Sequence, residues 1–294
     1  MSITYEVTHR TRYRYESDVS DSYGQLHLLP RAASGQRCVV AEVSMTPAAA
    51  DFRERRDYFG NRVGYLAIHE PHRELSVTAR SVVEIESRGP APAGLGSWEE
   101  ARDAARDPAL VDRLEAVGFT LDSALIGSAP HYADYAARSF TPGCGLLEAL
   151  TDFCSRIHGD FAYMPGSTSV TTPLSEVFAQ RRGVCQDFAH IGIACLRSIG
   201  LPARYVSGYL ETEPSPGRPK LIGADGSHAW LSVLAGAAGW VDLDPTNDQL
   251  PGSRHIVTAY GRDYSDVPPL SGVIYTEGRT ESLQVRVDVV AIPD

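Results

Sequence analysis

The stretch Arg182-Gly183-Val184-Cys185-Gln186-Asp187-Phe188-Ala189-His190 decides how this chain is read. It sets a cysteine where loop turns into helix. Downstream, Ile191, Ile193, Ala194, Leu196 and Ile199 supply apolar positions until Gly200 and Pro202 end the helix. Cys185 is therefore expected in the first turn, where unpaired N–H groups and the positive dipole end favour negative charge and a nucleophilic sulfur. Such a thiol needs a proton shuttle and a group that orients the shuttle. Two later segments offer both: Ser227-His228-Ala229-Trp230 and Trp240-Val241-Asp242-Leu243-Asp244-Pro245-Thr246-Asn247. A Cys, a His and an Asp in that order read as an acyl-transfer triad.

The rest of the chain sets limits on that chemistry. At 294 residues it is long enough for two domains. Its 43% hydrophobic and 22% charged content is that of an ordinary globular protein. No run of 18 apolar residues occurs, and Met1-Ser2-Ile3-Thr4-Tyr5-Glu6 lacks the basic and apolar regions of a signal peptide, so a cytoplasmic location is expected. Five cysteines at irregular spacing (Cys38, Cys144, Cys154, Cys185, Cys195) suit reduced thiols. A net charge of −10 argues against nucleic acid or anionic membrane as a partner. The oligomeric state is not encoded in any pattern we can read.

Residues 1–88 read as strands. Ile3, Tyr5 and Val7, then Tyr13 and Tyr15, alternate with polar positions, as do Val39, Ala41 and Val43. Asp57-Tyr58-Phe59-Gly60-Asn61 predicts a turn between strands. Several short strands without a helix predict a small antiparallel β-sandwich. The Pro/Gly/Ala-rich residues 87–96 predict a linker, placing a second domain at 97–294. There, 98–115 reads as a polar helix and 145–158 as an amphipathic one, with Leu146, Leu147, Leu150, Phe153, Cys154 and Ile157 at helical spacing. After the cysteine helix the pattern returns to strands at 203–210, 229–234, 239–243 and 282–292, an α+β arrangement.

Roles follow from position. His228 is the expected base, on a strand where Ala229, Leu231 and Val233 face one way and His228, Trp230 and Ser232 the other. His190 is the rival, but five residues beyond Cys185 it points about 140° round the helix and is expected to pack or hydrogen-bond instead. Asp242 and Asp244 share a face, and spacing does not choose between them. Asp244 stands next to Pro245, at the exposed end of the strand, which favours it as the group that takes the imidazole Nδ1–H. For the oxyanion, the Cys185 backbone N–H is the first donor, and Gln180, Tyr163 and the Trp230 indole are side-chain alternatives. Cys154 and His158 lie one helical turn apart, half of a zinc site, but no second pair accompanies them, so no metal is expected. No phosphate-cradling glycine loop or calcium loop occurs, so no cofactor is expected either.

These motifs resemble those of the bacterial transglutaminase-like superfamily, cysteine-protease type. Residues 181–190 resemble its nucleophile motif, and Gly200-Leu201-Pro202-Ala203-Arg204-Tyr205-Val206-Ser207-Gly208-Tyr209 the segment after it. His228-Ala229-Trp230 and Asp244-Pro245-Thr246-Asn247 resemble its other two triad segments, and the resemblance selects Asp244 over Asp242. His9-Arg10-Thr11-Arg12-Tyr13-Arg14-Tyr15, Leu29-Pro30-Arg31 and residues 57–61 resemble the β-rich domain that precedes the catalytic domain in many bacterial members. The resemblance implies a papain-like fold, helices packed on an antiparallel sheet. It also implies a thioester intermediate on Cys185, with a peptide or protein amide as substrate. Members include crosslinking enzymes, peptidases and amidases. Many carry an acidic residue two positions after the Trp of the His motif, where this chain has Ser232. Hydrolysis is the expected outcome, because keeping an acyl-enzyme for an amine needs a water-excluding acceptor site. Protein-glutamine transglutamination is the alternative within the chemistry, and a peptide-binding module without catalysis is the alternative outside it.

Overall fold

The strand β1 (Ser2–Leu26) organises the N-terminal region of the computed structural model, which describes residues 2–86, 94–107, 113–212 and 226–292. Its alternation buries Tyr5, Val7, His9 and Thr11 and turns the intervening positions outward. With β2 (Gln36–Thr46), β3 (Asp51–Arg56), β4 (Arg62–Ile68) and β5 (His72–Glu86) it forms an antiparallel sheet in the order β2-β5-β1-β4-β3. The first half of β1 pairs with β5 and the last five residues pair with β4. Its register shifts between Arg14 and Val19, and there the sheet curls over on itself. Tyr15, Val19, Leu26, Leu66, Ile68 and Val77 fill the space enclosed. The turn expected at residues 57–61 joins β3 to β4, and the Gly60 N–H donates to the Asp57 carbonyl.

The helical region begins with α1 (Trp98–Ala104), α2 (Arg113–Gly118), α3 (Pro130–Ala137) and α4 (Leu146–Asp160). The single helix expected over 98–115 is seen as two short ones, with 108–112 between them outside the described residues, as are 87–93 of the linker. The stripe on α4 is as expected, with Leu146, Leu150, Phe153, Cys154 and Ile157 all buried. Then come β6 (Ala162–Tyr163), α5 (Leu174–Gln180), β7 (Arg182–Gly183) and α6 (Cys185–Ser198). Next, β8 (Ala203–Leu210), β9 (Gly226–Leu234), β10 (Trp240–Leu243) and β11 (His255–Gly261) make a second antiparallel sheet, in the order β10-β9-β8-β11. The α+β arrangement of helices on an antiparallel sheet is thus the observed one. Ala229, Leu231 and Val233 of β9 pack against α6 in the main core. A Cβ at Gly192 would come within 2.5 Å of Leu231 Cδ2, so the missing side chain sets how closely the cysteine helix approaches the histidine strand.

The expected extent of the second domain, 97–294, needs correction at its end. Strands β12 (Leu270–Thr276) and β13 (Thr280–Ile292) leave the catalytic sheet and pair with β1, from Leu26↔Leu270 to Thr4↔Ile292. The N-terminal sheet therefore has seven strands, two of them from beyond the helical region. Alternation identifies a strand but not its partner, so local pattern left the assignment open.

Side-chain amides join the two sheets. Strand β11 is an edge strand, and its outward backbone groups meet buried Gln36 and Asn61 from the N-terminal region. Gln36 Nε2 donates to the Val257 carbonyl and Gln36 Oε1 accepts its N–H, both at 2.8 Å. Asn61 does the same at Tyr260, at 2.7 and 2.8 Å. Each amide stands in for a residue of a missing neighbour strand. Among the described residues no helix is long and apolar enough to cross a membrane.

Candidate active site

Helix α5 ends at Arg181, whose backbone is left-handed (φ 52°) and whose guanidinium lies over the Phe178 and Phe161 rings, 4.3 and 4.6 Å from their centroids. This turn delivers the chain into β7, which pairs parallel with β6 through Tyr163↔Gly183. Helix α6 starts immediately after, with half-buried Cys185 as its first residue. Val184 has no side-chain oxygen to cap the helix. The Asp187 carboxylate reaches back to accept the Val184 N–H at 2.8 Å and the Thr168 hydroxyl at 2.7 Å.

The His228 ring extends from β9, and Cys185 is one of the groups that raise it. His228 Nε2 donates to Asp244 Oδ2 at 2.8 Å, just past the end of β10. The sequence reading assigned this bond to Nδ1. The structure uses Nε2, leaving Nδ1 as the ring nitrogen able to exchange a proton with sulfur. Burial pulls the His228 imidazole down, but hydrogen bonds to Asp244 and Cys185 outweigh it and hold it up at about 10. Asp244 is fully buried. Burial alone would raise its carboxyl, yet hydrogen bonds from His228, His255 and Asn247 hold it well below the usual carboxylate range. His228 and Asp244 are thus bonded directly, with Cys185 among the groups that act on the His228 ring.

Two residues at this carboxylate were missed from the sequence. Asn247 Nδ2 donates to Asp244 Oδ2 at 2.7 Å, and His255 Nε2, the first residue of β11, lies 3.0 Å from the same oxygen. Asn247 stood in a quoted motif without a role. His255 preceded an apolar run, Ile256-Val257, that was not read as a strand. The ligand atoms of His228, Asp244 and His255 all lie within 4.8 Å of one another, a set whose chemistry suits a divalent metal. Their spacing does not. Bonds of about 2.0–2.1 Å to a tetrahedral ion separate neighbouring ligand atoms by about 3.3 Å. Here both imidazole nitrogens approach the carboxylate oxygen to hydrogen-bonding distance, 2.8 and 3.0 Å.

The remaining candidates separate cleanly. His190 is buried and its Nε2 accepts the Tyr264 N–H at 3.1 Å, with burial lowering the ring to about 4, so its lone pair is occupied away from the sulfur. Gln180 is exposed and bonded to Glu176 and Arg182. Trp230 is fully buried beside His228, and its Nε1 does not reach the surface. Tyr163 is half exposed, and partial burial followed by the charge of Cys185 raises its phenol. Asp242 is turned to the Ser232 hydroxyl. Cys154 is a core thiol that burial, followed by Asp248 and Asp244, pushes up to about 12, while His158 Nδ1 donates to the Thr246 carbonyl at 3.1 Å.

Comparison with known proteins places both regions of the chain in one family. Residues 5–84 match the bacterial transglutaminase-like N-terminal region, and residues 134–245, which span all three candidate residues, match the transglutaminase-like superfamily. An uncharacterised Mycobacterium tuberculosis protein is 47% identical over 97% of this chain and 92% of its own length. A protein-glutamine gamma-glutamyltransferase of Pseudomonas aeruginosa is 34% identical over 97 residues, 32% of this chain but 14% of that protein. Among solved structures, a candidate cysteine protease from Cytophaga hutchinsonii superposes with a TM-score of 0.77 at 18% identity, covering 100% of this chain and 92% of the other.

Proposed function

Because the chain belongs to the transglutaminase-like superfamily, we propose that it hydrolyses peptide or carboxamide bonds through a thioester on Cys185, with His228 and Asp244 completing the triad. The observation that carries this reading is the 2.8 Å bond between the His228 ring and the buried Asp244 carboxylate, with Cys185 at the start of α6 raising the same ring. The sulfur attacks the carbonyl carbon while its proton resides on His228 Nδ1. The oxyanion is met by N–H groups at the start of α6, with the Tyr163 hydroxyl as a side-chain donor. Collapse breaks the C–N bond, and the leaving amine takes the proton from His228. Water then adds to the thioester, its proton passes to the same nitrogen, and breakage of the C–S bond releases the acid and restores the thiol. Asp244 keeps the ring oriented and stabilises the imidazolium throughout.

Solvent access favours water over an amine as the second nucleophile. Cys185 is half-buried, and Tyr163 and Met164 beside it are 55% and 44% exposed. Ser232 is fully buried against Asp242, so it supplies no acceptor-binding group at the surface. The test is mass spectrometry of a complex peptide mixture incubated with a millimolar primary amine and either wild type or Cys185→Ala. Acid products that depend on Cys185 are expected. Products that are mainly amine adducts would make the enzyme a transglutaminase, and no Cys185-dependent product would leave a peptide-binding module.

A further inference from the structure

We propose that His255 is a positioning residue of this site, holding the Asp244 carboxylate by donating its Nε2–H to the same oxygen that receives His228. The proposal rests on the triad reading above. Asp244 Oδ2 accepts from His228 Nε2 at 2.8 Å, His255 Nε2 at 3.0 Å and Asn247 Nδ2 at 2.7 Å, while Oδ1 takes the Thr246 N–H at 3.1 Å. The carboxylate is therefore held through both oxygens and does not turn to follow His228 as that ring gains and loses a proton.

The tautomer of His255 follows from its surroundings. The ring is buried and its Nδ1 has no hydrogen-bond partner among the described residues. With the proton on Nε2, only a lone pair is left unmatched. With the proton on Nδ1, a buried N–H would be orphaned and the Nε2 lone pair would face a carboxylate oxygen, which is the costlier arrangement. Burial also lowers the ring's basicity against the opposing pull of Asp244, so His255 remains neutral. It adds a donor to the carboxylate without placing a second cation beside the His228 imidazolium. The edge of Trp230, 5.2 Å away between centroids and at 80°, fixes the ring plane. Two residues along β11, Gln36 clamps both backbone groups of Val257, so the strand that carries His255 is itself anchored.

The experiment measures alkylation of Cys185 by iodoacetamide in the 294-residue chain at neutral pH, with peptide mapping to separate the five thiols. His255→Leu removes the donor at similar volume, and His255→Gln keeps an N–H at the Nε2 position. The expected result is labelling of Cys185 slowed about tenfold or more in His255→Leu, the range for losing a hydrogen bond to a charged group, and restored to within about threefold of wild type in His255→Gln. Equal rates in the two variants, or a wild-type rate in His255→Leu, would assign His255 to packing and overturn the proposal. Wild-type Cys185 that labels no faster than half-buried Cys38 and Cys144 would overturn the triad reading and this proposal together. A measurement independent of variant folding is ¹⁵N NMR of histidine-labelled wild type: His255 should show a protonated Nε2 and a bare Nδ1, and the reverse tautomer refutes the assignment.

Discussion

The Asp187 carboxylate occupies the space into which a side chain on Gly183 would grow: a Cβ there would lie 2.6 Å from Asp187 Oδ2. The oxygen that caps the nucleophile helix and the bare glycine before it are one device. Gly183→Ala should push the carboxylate off the Val184 N–H, costing about 1–3 kcal/mol for overpacking together with a lost cap. Urea melts should register the loss of stability, and Cys185 alkylation should slow in step. An unchanged melt with unchanged labelling would mean the cap has room to move.

Cys185→Ala and Cys185→Ser should both abolish turnover and leave the circular dichroism spectrum as it is, because Cys185 is half-buried at the margin of the core rather than inside it. Turnover surviving in the alanine variant would remove the thioester mechanism.

Asp244→Asn should lower kcat far more than Asp242→Asn. The first replaces an acceptor of three side-chain N–H donors, while Asp242 bonds the Ser232 hydroxyl on the same sheet face. Losing the orienting carboxylate costs on the order of 10⁴-fold in the serine-protease case. A larger loss at Asp242 would reverse the two roles.

With the His228 ring held up at about 10, its proton survives well past neutrality, so kcat/KM should fall on the alkaline side near pH 10 rather than near 6.5. The limb belongs to the coupled thiol–imidazole pair. The same shift contributes to stability, and its sign follows from linkage: a base raised on folding stabilises fully below about pH 6.5 and loses that contribution as pH climbs through about 10. Denaturation of wild type and His228→Gln across pH 5–11 should therefore show their stability gap closing at the alkaline end. A gap that opens with rising pH would contradict the assignment.

Asn61→Leu should destabilise the whole protein by on the order of 2–4 kcal/mol, since it orphans the Tyr260 N–H and carbonyl together. Thermal melts give the magnitude, and a loss below about 0.5 kcal/mol would mean that solvent replaces the amide.

The features of this molecule that depend on near neighbours in sequence were legible before its structure. A glycine, a cysteine and an apolar run announce the start of α6, and alternation along β9 places His228 opposite Leu231. What depends on distant pairing was not. His255 belongs to the site only because β11 lies beside β8 and the loop after β10 returns to it, a relation with no local signature. The ring nitrogen facing Asp244 was misassigned for a similar reason: it is set by the direction from which the carboxylate approaches, and that direction comes from the β9–β10 pairing and the loop after it. Residues 282–292 of β13 read correctly as a strand while β12 was not read as one, and nothing in the alternation of β13 named β1 as its partner.

That last pairing governs how the chain can be made. While the ribosome works through the helical region and the catalytic sheet, the flank of β1 that will receive β13 stays open, for on the order of 10–50 s at ordinary elongation rates. An unpaired flank on a growing chain is open to pairing with its neighbours on the same polysome until residues 280–292 arrive to cover it.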